Sequence, residues 1–141
     1  MKRVILLMAL LAAAGCGSAN STSASSTSVG VFTITDLVVG TGTTAANGNT
    51  VSVNYAGWLY DSGKPNGKGA SFDPGPGPIS FVVGGTGVIQ GFSQGVLGMK
   101  VGGQRRVIIP PELGYAGNPP SGSNIPVNAT LLFDITLNSV Q

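Results

Sequence analysis

Histidine is absent from this 141-residue chain, and cysteine occurs once, at position 16. Without histidine, neither a Ser/His/Asp nor a Cys/His nucleophile set can be assembled. Zinc would have to be bound by carboxylates alone, and the five acidic residues show no ligand spacing. A single cysteine also rules out an intrachain disulfide. Charged residues are scarce, at 9% of the chain, yet 42% of it is hydrophobic, which argues against charge-driven disorder. Glycine is plentiful, but Gly84-Gly85-Thr86-Gly87-Val88-Ile89-Gln90-Gly91 lacks the lysine of a phosphate loop and the βαβ context of a dinucleotide fold. The acids are numerous enough for paired-carboxylate glycoside cleavage, but nothing in the sequence pairs them. No metal or cofactor is expected. The material left for chemistry is apolar and aromatic.

The amino terminus has a character of its own. Lys2 and Arg3 precede an apolar run, Val4 to Ala14, which is shorter than the ~20 residues that span a bilayer. Ala13-Ala14-Gly15-Cys16 resembles a lipobox, the site at which bacterial lipoprotein signal peptides are cut before a lipidated cysteine. The expected organisation is a signal peptide at 1–15, a lipidated Cys16 with a Ser/Thr-rich tether at 16–28, and a folded domain at 29–141. Such a protein would be lipid-anchored in the bacterial cell envelope, facing the periplasm or the cell exterior. The plain alternative is a secretory signal with an incidental cysteine. Cleavage would leave Lys64, Lys68, Lys100, Arg105 and Arg106 against Asp36, Asp61, Asp73, Glu112 and Asp134. That near-zero balance makes nucleic acid an unsuitable partner.

In the domain, Val31 to Val39 is rich in β-branched residues and reads as a strand ended by Gly40-Thr41-Gly42. From Thr50 to Tyr60 the pattern alternates, with Val51, Val53, Tyr55 and Leu59 on one face. Asp61 to Ala70 reads as a loop or bulged excursion, and Pro74 to Pro78 as a stiff connection. Ile79–Val83, Arg105–Ile109 and a last segment carrying Leu131, Phe133, Ile135 and Leu137 on one face complete five strands. Ile89, Phe92 and Val96 recur at helical spacing, although Gly91 and Gly95 each cost about 1 kcal/mol against alanine in a helix. So weak a helix needs a surface curved around it. Gly98 would close it, with Lys100 near its negative end. The expected class is α+β, an antiparallel five-stranded sheet curled around one short helix.

Several ordered stretches resemble the FKBP-type peptidyl-prolyl cis-trans isomerases: V-N-Y-A-G-W-L at 53–59, S-F-D at 71–73, I-S-F-V-V-G at 79–84 and V-I-Q-G-F at 88–92. They continue with G-M-K-V-G-G-Q-R-R at 98–106, P-P-E-L-G-Y at 110–115 and I-P-V-N-A-T-L-L-F-D-I at 125–135. The resemblance implies an active site between helix and sheet. Tyr55, Asp73, Phe92 and Tyr115 would act on the bond, and Phe72, Phe81, Val88, Ile89, Ile125 and Phe133 would bind substrate, with Ile79 at a wall position. Phe92 stands where prototype members carry tryptophan. Tyr115-Ala116 replaces the common Tyr-Gly, followed by a differently built loop. Tyr115 O–H and the Ile89 backbone N–H would hold substrate carbonyls, and Asp73 would orient the Tyr55 hydroxyl or a nearby arginine.

The implied substrates are proline-containing polypeptides, with Leu or Phe before proline, and the macrolides tacrolimus and rapamycin are implied ligands. Rotation about Xaa-Pro faces a barrier of about 18–20 kcal/mol set by C–N resonance. No bond breaks, so a pocket that binds the twisted amide better than either planar form suffices. The sequence also admits two rival readings. One is a tethered chaperone using the same pocket with little catalysis, and the other is a β-rich surface lipoprotein whose rings are only core. With no long helix for dimerisation, a monomer is expected.

Overall fold

The computed structural model describes residues 31–141; the signal, Cys16 and tether expected at 1–28 lie outside the described residues. Its strands are β1 (Thr33–Val38), β2 (Thr50–Tyr60), β3 (Lys68–Asp73), β4 (Ile79–Val82), β5 (Gln104–Ile109) and β6 (Leu131–Val140), with one α-helix, α1 (Gln90–Val96). All pairings are antiparallel. The sheet order is β1-β5-β6-β2-β3, with β4 also paired to β2.

There is thus one strand more than the sequence suggests. The excursion after Tyr60 returns as β3, which pairs with β2 through two register shifts and carries no alternating pattern. Together β3 and β4 form one interrupted edge along β2. Val53 pairs with Ile79 and Gly57 with Asp73, leaving Asn54 to Ala56 opposite the Pro74–Pro78 connection. The interruption is sharp because Gly75, at φ 77°, lies so near the Tyr55 carbonyl that any Cβ there would collide with it.

Val51 and Val53 of β2, Val107 and Ile109 of β5, and Leu131, Phe133, Ile135 and Leu137 of β6 are buried on one face, where they meet Phe92 and Val96 of α1. This is the inward face expected from alternation. Leu132, which breaks the alternation, points to the opposite face and is still fully buried. The excursion explains this, since a Cβ on Gly67 would lie 3.3 Å from the Leu132 side chain. Lys68 holds the same flank, with its Nζ 2.8 Å from Asp134 and 4.0 Å from the Trp58 ring centroid.

The two helix glycines prove to be necessary. A Cβ at Gly91 would come within 2.5 Å of the Ile109 side chain, and one at Gly95 within 2.7 Å of Val107. Alanine's propensity advantage of about 1 kcal/mol is given up so that the helix backbone can lie directly on β5. Gly98 takes φ 86° after the last turn. The cation that serves the helix carboxyl end is Arg105, not Lys100. Its guanidinium donates to the Gly95 and Leu97 carbonyls, each at 3.0 Å, and to Asp36 at 2.7 Å.

Candidate active site

The interrupted edge opens onto the amino end of α1, and the gap is a pocket of about 140 Å³. Tyr55 comes from β2, Phe72 and Asp73 from the end of β3, Ile79 from the start of β4 and Phe133 from β6. Gly87, Val88 and Ile89 lead into the helix, Phe92 projects from its first turn, and Tyr115 arrives from the turn after β5. Of the ten residues singled out above, eight line this one cavity: Tyr55, Phe72, Asp73, Val88, Ile89, Phe92, Tyr115 and Phe133. Phe81 and Ile125 do not line it. Both are buried in the core, and Phe81 packs edge-on against Phe92 at 5.5 Å from behind. Ile79 takes the wall position expected of it. Gly87 was not anticipated, for a residue without a side chain leaves no chemical signal in the sequence.

Phe92 is the hub of the ring cluster. Its centroid lies 5.5 Å from Tyr55, 5.5 Å from Phe81 and 5.1 Å from Phe133, all edge-to-face. Phe72 meets Phe133 at 5.5 Å and 90°. Such pairs contribute roughly 0.5–1.5 kcal/mol beyond area burial, and here they also hold the pocket walls at fixed angles. The Phe72–Phe133 contact depends on Gly57, where a Cβ would fall 2.7 Å from one ring and 2.9 Å from the other.

The polar groups stand at the edge of this apolar cup. The Tyr55 hydroxyl donates to Asp73 Oδ2 at 2.6 Å, and Asp73 Oδ1 accepts the Gly75 N–H at 3.0 Å. Asp73 therefore orients the tyrosine, one of its two expected roles. No arginine joins it, because among the described residues Arg105 pairs with Asp36 and Arg106 with Asp134. Burial first, then the hydrogen bond and the charge of Asp73, push the Tyr55 hydroxyl up to about 12. Tyr115 is raised as well, by burial and then by the Asp73 charge. Both phenols are thus neutral donors at physiological pH.

Ile89 caps α1 in extended conformation, its carbonyl accepting the Phe92 and Ser93 amides. Its N–H lies ahead of the first helical turn, at the pocket's helical rim. On the opposite rim, Tyr115 opens a loop that is pinned at its base by the Asn128 N–H donating to the Ala116 carbonyl at 2.7 Å. Buried Ile125 anchors the same loop. It serves the site by holding the loop that carries Tyr115.

The site can grip a small apolar ring below and amide carbonyls above, by neutral hydrogen bonds and without covalent chemistry. That defines a recognition site for peptide amides. The chain belongs to the FKBP-type peptidyl-prolyl cis-trans isomerase family, whose sequence profile matches residues 41–138. FK506-binding protein 1 of Aspergillus oryzae is 39% identical over 108 residues, covering 72% of this chain and 91% of its own. FK506-binding protein 1B of Neurospora crassa is 42% identical over 106 residues, with 74% and 93% covered. Other relatives are much longer: the match to FK506-binding protein 3 of Candida albicans, 43% identical over 106 residues, takes in 75% of this chain and 23% of that protein. Among solved structures, AtFKBP13 superimposes with a TM-score of 0.64 at 32% identity, covering 78% of this chain and 93% of its own. FkpA from Escherichia coli gives 0.63 at 36% identity, with 77% and 47% covered.

Proposed function

We propose that this protein accelerates cis–trans rotation of Xaa-Pro bonds in exported or envelope proteins, by binding the twisted amide in the aromatic pocket. The observation that carries this reading is the convergence of Phe92, Phe133, Phe72 and Tyr55 on one cavity rimmed by two tyrosines and Asp73. The proline ring sits on Phe92. The walls strip water from the planar amide, whose charge separation water would otherwise favour. Planarity is then lost at lower cost, since the twisted amide has less resonance to solvate and more basic character at nitrogen. Tyr115 O–H and the Ile89 N–H hold the flanking carbonyls, and Asp73 fixes Tyr55 so that it need not reorganise during rotation.

The cellular setting is part of the proposal: cleavage before Cys16, lipidation there, and a tether of residues 17–28 holding a monomeric domain at the envelope membrane. Tacrolimus and rapamycin are proposed ligands of the same pocket. The names of the FK506-binding relatives support this assignment, while the Ala116–Asn128 loop sets how bulky a macrolide is admitted.

Refolding of a substrate protein limited by an Xaa-Pro step tests the reading. An isomerase shortens the slow phase at catalytic concentration. Unchanged slow kinetics with improved refolding yield would instead make the domain a holding chaperone.

A further inference from the structure

Only one residue lining the pocket carries a formal charge, the carboxylate of Asp73. No charged residue occurs between Pro74 and Met99, so the connection, β4 and α1 on that side are neutral. β2 is likewise uncharged from Thr50 to Tyr60. Among the described residues, three of the five cations are paired elsewhere. Lys68 and Arg106 are bound to Asp134, and Arg105 to Asp36 and the end of α1. Lys64 lies on the excursion and Lys100 follows α1, and neither lines the pocket. On the Tyr115 side the only charge is another anion, the exposed Glu112 of the turn Pro111–Leu113.

Both donors to Asp73, the Tyr55 hydroxyl and the Gly75 amide, are neutral. They satisfy a lone pair on each oxygen but bring no positive charge to the carboxylate at the wall of the ring-lined pocket. We infer that the site selects proline segments with a Lys or Arg flanking the proline, Asp73 being the specificity-determining residue. The aliphatic stem of such a side chain continues the apolar contact, and its cation supplies the charge that Asp73 lacks. The inference rests on the isomerase reading above.

The test is a charge ladder at one position: tetrapeptides with Lys, Gln or Glu beside the proline, in either order with Leu on the other flank. At low ionic strength kcat/KM should favour Lys over Glu by roughly three- to tenfold in at least one order, shrinking as salt is added. Asp73→Asn should bring that ratio near one, whatever it does to the overall rate. Gly77→Arg offers a gentler variant, because a Cβ there meets nothing within 4 Å. It places a cation in the neutral connection and should lower the Lys/Glu ratio while the Gln peptide is turned over as before. Equal turnover of Lys and Glu peptides, or a ratio unmoved by both variants, overturns the preference and leaves the isomerase intact. No acceleration of any peptide removes both.

Discussion

Ala116 holds the one alanine backbone in the loop at a positive φ, 48°. An L-residue in that region costs roughly 1–2 kcal/mol, which glycine avoids, at some expense in unfolded-state entropy. Ala116→Gly should therefore stabilise the domain by about 0.5–1 kcal/mol, read as a raised midpoint in urea. A lowered midpoint would mean that the left-handed backbone is not strained. The Tyr-Ala in place of Tyr-Gly was visible in the sequence, but its consequence depends on a dihedral angle that composition does not encode. Tyr55 carries a second residue-scale expectation. Its folded value is raised to about 12, so the folded state holds the proton more tightly than the unfolded chain. The stability this residue contributes is present below pH ~10, the ordinary phenol value, and is lost as pH rises towards 12. Alkaline denaturation should accordingly be less steep over that window in Tyr55→Phe, whose isomerase rate should fall several-fold; identical pH profiles for both proteins would refute the assignment.

Among the elements, α1 has the least intrinsic helical tendency and the closest seat. In an open helix, Gly95→Ala would gain about 1 kcal/mol. Here it should lose about 1–3 kcal/mol, because the new methyl group meets Val107 at 2.7 Å. Adding Val107→Ala to that variant should recover part of the loss relative to Val107→Ala alone, a coupling that a double-mutant cycle in urea would read. Simple additivity would contradict the close-approach account. The apolar stripe Ile89, Phe92, Val96 marked the helix in the sequence. The glycines between them looked like a cost, because the partner that needs them, β5, lies further along the chain. β3 escaped notice for a different reason: its residues Lys68 to Asp73 pair through bulges, so neither face alternates. The alternating β2 and β6 were legible because each buries one whole face.

For the molecule as a whole, the excursion, β5 and β6 are joined through Asp134, which accepts from Arg106 at 2.7 and 3.0 Å and pairs with Lys68 at 2.8 Å. Burial alone would raise this carboxylate, but the hydrogen bonds and charges of Arg106 and Lys68 outweigh it and hold it below its ordinary value. A depressed aspartate contributes stability above its unfolded value and loses it as pH falls through the folded one. Asp134→Asn should cost about 1–2 kcal/mol near neutrality and much less at strongly acidic pH, as measured by urea unfolding; a deficit independent of pH would argue against the network. The pocket itself depends on this global arrangement. Nine of its ten lining residues could be named from motifs, all but Gly87, whereas Phe81 and Ile125 share the apolar chemistry of wall residues and differ only in which side of Phe92 or of the loop they occupy. Sequence pattern distinguishes inward from outward, but not the cavity side of a core from its closed side.

The central claim is that the pocket around Phe92 twists prolyl amides, and cis-to-trans exchange of a Leu-Pro tetrapeptide measures it most directly. The account predicts acceleration by the wild-type protein, loss of most of it in Phe92→Leu with the fold retained, and inhibition by a macrolide that occupies the pocket. Exchange at the uncatalysed rate in the presence of folded wild-type protein would contradict it.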